Sequence, residues 1–182
     1  MKVLHTSDWH LGHTLYNYDR SEEQQAMLDQ IARIVAERQP DLFLLCGDVY
    51  HTVQPTAATQ QLFINALMRI REAAPAMKIV LLAGNHDSAT RHEIFRTAWE
   101  ALGVTAIGIV SRSEIPNHYI VEIPGKGFVV GVPYVHERNL PEGFFQQLLD
   151  RVAERNPERL PVILTAHTYV SGSDVTGHAD AE

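Results

Sequence analysis

The sequence predicts an α/β protein in which two sheets pack face to face between outer layers of helices, a two-sheet α/β/β/α sandwich. Three observations lead there. Short Val/Ile/Leu-rich runs at residues 2–7, 41–46 and 78–83 alternate with stretches of helical period, the order that yields parallel strands joined by crossover helices. The period then shortens: runs at 104–110, 118–123 and 127–132 are joined by turn residues and suggest a second sheet packed on the first. Finally, Asp8-Trp9-His10, Gly47-Asp48, Gly84-Asn85-His86-Asp87 and Ala166-His167 each follow a separate apolar run. The carboxyl ends of parallel strands are where such a sheet gathers a site.

In chain order, residues 2–7 read as a buried strand, followed by a loop over 9–20 that holds Gly12, Trp9, Tyr16 and Tyr18. Ser21 with Gln24 three residues on has the form of a capping box, and Met27, Leu28, Ile31, Ile34 and Val35 recur at helical spacing until Pro40. After the 41–46 strand, a second helix runs from Pro55-Thr56 to about Ala73. After the 78–83 strand, a third is expected over 90–102, with Ile94, Phe95, Ala98, Trp99 and Leu102 on one side and Gly103 closing it. Pro116-Asn117 and Gly125-Lys126-Gly127 mark turns between the later strands. Pro141 starts a last helix to about Glu154, and Pro161–Thr165 is the strand that delivers His167. The polar, Gly-containing tail from Ser171 to Glu182 is expected to be a loop.

With 182 residues the chain can bury one sizeable core. No apolar run reaches the roughly 18 residues of a membrane span, and the start lacks a signal-peptide layout. A single cysteine, Cys46, expected to be a buried strand residue, fits a reducing cytoplasm. The net charge of −7 and the lack of a basic patch weigh against simple phosphate binding by Lys and Arg. Divalent ions held by the carboxylates would reverse that sign locally.

The strand-end residues supply the chemistry. Asp8 and His10, two apart on an extended end, point to one side. Asp48 adds a second carboxylate, Asn85 a neutral hard oxygen suited to Mn²⁺ or Mg²⁺, and His167 a further imidazole. Singly, each reads as a cap, turn or structural residue; together, at equivalent places after separate strands, they read as ligands of two divalent ions. Two such ions about 3.5–4 Å apart clamp the attacking and leaving oxygens of a phosphodiester and make hydroxide available near neutral pH.

The Asp-x-His, Gly-Asp and Gly-Asn-His-Asp spacing resembles the calcineurin-like metallophosphoesterase superfamily. Leu4–Gly12, Gly47–His51 and Leu82–Ser88 look like its DNA double-strand-break repair nuclease branch, the SbcD-like subunits, over nearly the whole chain. The resemblance implies a metallophosphoesterase-type sandwich with two Mn²⁺, Mg²⁺ being possible. Asp8 and His10 would hold the first ion, Asp48 would bridge, and Asn85 and His167 would hold the second. His86 would give a proton to the leaving alkoxide, His51 would place the scissile phosphate, and Asp87 would orient a histidine. It implies 3′–5′ exonuclease and hairpin or end endonuclease activity on DNA, an SbcC-like ATPase partner, and a homodimer through Leu62, Leu67, Phe95 and Trp99.

The family's further Gly-His-x-His motif, its capping domain and its ATPase-binding region are not in this sequence. Asp180 stands where a second histidine would follow His178, which reads as a loop residue. The expectation is therefore a C-terminally incomplete core over 1–182 with five of seven ligands and weakened metal binding. Trp9 and Tyr16 are expected to be partly buried rather than stacked on bases, and Arg20 to be solvated. Two rivals remain: a metallophosphoesterase for small phosphoesters, and a non-catalytic DNA-end or partner-binding module. Mn²⁺-dependent cleavage of duplex DNA against a small aryl phosphodiester separates the first, and metal counting with a His10→Ala control separates the second.

Overall fold

The computed structural model describes residues 1–111 and 117–170. The predicted Pro116-Asn117 turn in part, the tail from Ser171 and His178 lie outside the described residues.

Four strands, β1 (Val3–Thr6), β4 (Leu42–Cys46), β5 (Lys78–Leu82) and β6 (Val104–Ile107), form a parallel sheet in the order β1-β4-β5-β6. Alternation sorts their side chains. Phe43, Leu45, Ile79, Leu81, Val104 and Ala106 face a core shared with helices α1 (Ser21–Arg38) and α2 (Ala57–Ala73). Leu42, Leu44, Cys46, Val80, Leu82 and Ile107 face a second core. Both faces are covered, so β4 is buried at all five positions and reads as an unbroken apolar run. Cys46 is buried, as expected.

The second core is closed by a three-stranded sheet, β7 (Ile120–Ile123), β8 (Gly127–Val132) and β9 (Val162–Ala166), and by helix α5 (Phe144–Arg155), which buries Phe144, Leu148 and Val152. The layers are helix, sheet, sheet, helix, as predicted. β7 and β8 pair antiparallel, whereas β8 and β9 run parallel, with Val132 opposite Ala166. That parallel pairing brings the end of β9 to the same rim as the ends of the first sheet. The two sheets meet closely at Gly131, where a Cβ would stand 2.8 Å from Leu82 and 2.9 Å from Ile107.

Several local expectations are corrected. Residues 104–107 join the first sheet as its edge strand, not the second, because the preceding crossover returns them parallel to β5. The third helix is two short ones, α3 (Ala89–Ile94) and α4 (Arg96–Ala101), broken at Phe95. The break turns Trp99 onto the core while Ile94 and Phe95 stand exposed. The first loop contains a small antiparallel hairpin, β2 (Thr14–Leu15) and β3 (Tyr18–Asp19). Its tip leaves Tyr16 96% exposed, whereas Trp9 is only 5% exposed and packs edge-on against Phe43 and Phe63. Partial burial therefore holds for neither. The capping box is not formed: the Ser21 N–H is capped by Asp19, and the Gln24 side chain is used elsewhere. Leu67 is buried in the first core and Leu62 and Trp99 pack against it, so the four residues named for a dimer do not form one exposed patch. No described helix is long and apolar enough to cross a membrane.

Candidate metal centre

Beyond their last paired residues, β1 and β4 continue side by side. The Asp8, His10 and Leu11 N–H groups donate to the Gly47, Asp48 and Val49 carbonyls at 3.0, 3.0 and 2.9 Å. Between these bonds the backbone turns through left-handed residues: Asp8 (φ 57°), His10 (φ 43°), Gly47 (φ 91°) and Asp48 (φ 51°). Three non-glycine residues in that region store local strain, on the order of 1–3 kcal/mol each, and all three are predicted ligands.

Asp48 lies at the centre. It is 3% exposed, and its Oδ1 accepts the His86 N–H at 2.9 Å. Its Oδ2 is 3.5 Å from His167 Nε2 and 3.8 Å from His10 Nε2. Asp8 Oδ1 is 3.9 Å from the same His10 nitrogen. His167 Nδ1 sits 2.8 Å from the Cys46 carbonyl. A carbonyl only accepts, so Nδ1 carries a proton, and in the neutral ring Nε2 presents a lone pair. That lone pair meets Asn85 Oδ1 at 2.9 Å and Asp48 Oδ2 at 3.5 Å. On a neutral ring these are three acceptor atoms, which a shared cation would satisfy.

His10 is less constrained. Its Nδ1 is buried without a hydrogen-bond partner among the described residues, and its Nε2 lies beyond hydrogen-bond reach of both carboxylates. Converging lone pairs and a buried carboxylate suit a divalent cation, so the residues fit the metals the sequence implied. Asp8, His10 and Asp48 form one donor set, with ligand atoms within 4.8 Å of one another.

Glycines make room for this. A Cβ on Gly84 would fall 2.0 Å from Asp48 Oδ1, and one on Gly47 would fall 2.2 Å from His167 Nδ1.

His86 and His51 face the same place. His86 Nδ1 donates to the His51 carbonyl at 3.0 Å, leaving Nε2 without a hydrogen-bond partner among the described residues. The two rings stack at 5.7 Å, and His86 meets His10 edge-on at 4.9 Å. Burial, then the neighbouring His13, His10 and His86, hold the His51 pKa below its ordinary value, against an opposing pull from Asp48. Asp87 does something other than expected. Its buried carboxylate accepts the Val49, Tyr50 and Gly84 N–H groups at 3.0–3.1 Å, and its nearest imidazole, His92, is 4.0 Å away. It pins the Asp48 loop to the Asn85 loop and orients no catalytic histidine.

Two contributors were not foreseen. Gln24 Oε1 accepts the Gly12 N–H at 3.0 Å and its Nε2 donates to the His10 carbonyl at 3.1 Å, fixing the strained first loop from α1. The only sequence signal was a polar residue at a core-facing helix position. His13 lies tilted against His51 at 4.4 Å and meets Arg20 at 3.3 Å. Arg20, expected to be solvated, is half-buried and also pairs with Glu23. Together these groups line an open cleft of about 1190 Å³ that extends to Tyr134 and Tyr169.

A family model for calcineurin-like phosphoesterases matches residues 1–181. The SbcD component of the Rhodobacter capsulatus nuclease SbcCD is 34% identical over 149 residues, covering 78% of this chain and 37% of its own length. Its Bacillus subtilis namesake is 30% identical over 195 residues, covering 97% of this chain and 49% of its own. This chain thus spans half or less of those relatives. The crystal structure of Pseudomonas putida nuclease MPE aligns with a TM-score of 0.38 at 18% identity, over 89% of this chain and 59% of that one.

Proposed function

Since the chain belongs to the calcineurin-like phosphoesterase family, we propose that it is the catalytic core of a metal-dependent DNA nuclease of the SbcD type. The observation that carries this reading is the meeting of His167 Nε2 with Asn85 Oδ1 at 2.9 Å and with the buried Asp48 Oδ2 at 3.5 Å. Asp8, His10 and Asp48 would hold one cation, and Asp48, Asn85 and His167 would hold the other; Mn²⁺ suits this mixed oxygen and imidazole set, with Mg²⁺ the second choice. When bound, the cations offset phosphate charge and make an attacking hydroxide available.

The chain's own residues do the remainder. His51, kept neutral by burial and by its imidazole neighbours, donates one N–H to a non-bridging phosphate oxygen. His86 delivers a proton to the leaving 3′ or 5′ oxygen from Nε2. The His51 carbonyl supports its imidazolium form by accepting from Nδ1. Asp87 and Gln24 hold the two loops in place. The half-exposed Arg20 and the exposed Tyr169 at the cleft suit a phosphate backbone and a stacked base. The relatives' name, a subunit of the nuclease SbcCD, supports a nuclease that works with an SbcC-like ATPase partner. DNA as substrate, work in the cytoplasm in DNA repair, and 3′–5′ exonuclease and hairpin-opening endonuclease modes belong to the same proposal and come from the sequence resemblance.

The test is Mn²⁺-dependent release of nucleotides from duplex DNA, run beside a small aryl phosphodiester. Cleavage of DNA with poor turnover of the small ester is expected. His86→Ala should lower DNA turnover by about 10²–10⁴-fold while Mn²⁺ still binds. Efficient hydrolysis of the small ester with intact DNA would replace the nuclease reading by a small-molecule phosphoesterase. DNA binding without Mn²⁺ uptake, in wild type and His10→Ala alike, would leave only a binding module.

A further inference from the structure

We propose that His10 serves two cation sites that exclude each other. One is the oxygen-rich set with Asp8 and Asp48; the other is an imidazole trio, His10, His51 and His86, that takes Zn²⁺. In each set the ligand atoms lie within 4.8 Å of one another. The trio's rings already face one another: His10 meets His86 and His51 edge-on at 4.9 and 5.7 Å, and His51 stacks on His86. Nitrogens sharing one tetrahedral zinc sit roughly 3.4 Å apart, as Zn–N bonds of about 2.0–2.1 Å require. Closing the trio to that separation takes shifts of at most about 0.8 Å per ring.

The two sets differ in what they select. Carboxylate oxygens favour Mn²⁺ and Mg²⁺, and three imidazoles favour Zn²⁺. A neutral imidazole has a single lone pair, so His10 ligates one ion at a time whichever nitrogen it uses. Ligating histidines ordinarily have their other ring nitrogen held by a hydrogen bond that fixes the tautomer. His167 is held by the Cys46 carbonyl and His86 by the His51 carbonyl. His10 has no such partner: its Nδ1 is buried and unbonded among the described residues, and its Nε2 is 3.8–3.9 Å from the carboxylates. Nothing fixes which nitrogen carries its proton, so His10 is the ligand able to change sites. Zinc in the trio removes His10 from the oxygen-rich set and occupies the lone pairs of His51 and His86. On the nuclease reading above, that switches the enzyme off; the existence of the trio does not depend on that reading.

The experiment measures metal affinity in the whole chain, without DNA. Mn²⁺ is titrated by electron paramagnetic resonance and Zn²⁺ by competition with a chromophoric chelator, with circular dichroism to confirm folding. The proteins are wild type, His51→Ala, Asp8→Asn and His13→Ala, with His51→Gln replacing the alanine variant should that one not fold. In wild type, Zn²⁺ should displace the Mn²⁺ of the Asp8, His10 and Asp48 set and leave that of Asn85 and His167. His51→Ala should weaken Zn²⁺ by more than the roughly 10–100-fold lost with an outer-shell partner, and leave Mn²⁺ unchanged. Asp8→Asn should do the reverse, and His13→Ala should change neither. Zinc affinity unchanged in His51→Ala, or lowered by Asp8→Asn as much as that of Mn²⁺, would mean that zinc merely enters the carboxylate site, and would overturn the trio. Mn²⁺ affinity unmoved by Asp8→Asn would instead remove the oxygen-rich site and with it the mechanism proposed above.

Discussion

Gly84 touches no ligand through a side chain, yet the position of Asp48 depends on it. A Cβ there would stand 2.0 Å from Asp48 Oδ1 and 2.3 Å from the Asp48 nitrogen. The second of these is backbone, so no rotamer change relieves the clash. The Asp87 bond to the Gly84 N–H opposes separation of the two loops. Gly84→Ala should therefore destabilise the fold by about 1–3 kcal/mol, the usual cost of overpacking, and weaken Mn²⁺ binding as Asp48 is displaced. Urea unfolding and Mn²⁺ titration of the same variant check both; normal Mn²⁺ affinity at reduced stability would separate the glycine from the site. At this scale the sequence showed which residues meet but not what holds them. Asp87 follows His86 directly and reads as part of the same site, although its carboxylate binds three backbone N–H groups. Gln24 reads as a cap, and only the folded first loop reveals that its amide fits the His10 carbonyl and the Gly12 N–H.

Elements whose period is strong were legible, and those decided by tertiary contacts were not. α2 begins where Thr56 caps it and ends before Pro75, as its sequence suggests. The stretch over 90–102 has apolar residues enough for one helix, but packing against the core selects Trp99 over Ile94, and the chain breaks at Phe95 to allow it. The short 3₁₀ turn at Asn117–Tyr119 spans the end of the predicted Pro116-Asn117 turn and the first two residues of the predicted 118–123 strand. That turn carries His118, whose ring lies against Tyr119 at 4.5 Å and whose Nε2 is buried without a partner among the described residues. Burial, then the charge of Arg96, pushes its pKa down to about 4, against a weaker pull from Glu100. The folded ring stays neutral to that pH, while the unfolded chain takes up the proton near 6.5. The unfolded state thus binds more protons between these values, and the contribution is whole above pH 6.5 and lost as pH falls toward 4. His118→Phe should flatten that part of the stability–pH curve. The change in slope should stay below the roughly 1.4 kcal/mol per pH unit that one proton allows, and lower still because a half-exposed ring is screened by solvent. His92, buried and also lowered by desolvation, leaves a residual slope in the variant. Identical urea midpoints for wild type and His118→Phe from pH 6.5 to 4 would show that the ring exerts no such effect.

At the scale of the molecule the layers could be read from the order of runs, because strands buried on both faces announce themselves. What could not be read was that β9 runs parallel to β8. No local pattern states it, yet it alone carries His167 from the second sheet to the rim of the first, where its ring reaches the Cys46 carbonyl and Asn85. The candidate centre is therefore a joint between sheets: Asp48 and Asn85 follow strands of one, and His167 follows a strand of the other. Elsewhere along that joint Cys46 Sγ meets Thr165 Oγ1 at 3.0 Å and Gly131 presses against Leu82 and Ile107. A cation bound across it binds only the folded arrangement, so it should stabilise the whole sandwich by mass action, by about 2.7 kcal/mol at a hundred times its dissociation constant. Mn²⁺ should accordingly raise the thermal midpoint of the chain, and a chelator should reverse the rise. His167→Ala keeps Asp8, His10 and Asp48 but removes the second sheet's hold, so the Mn²⁺-dependent rise should shrink markedly while the metal-free midpoint changes less. Calorimetry with and without Mn²⁺ on both proteins gives the comparison. An equal rise in the two would place the cations on the first sheet alone and leave β9 without a part in binding them.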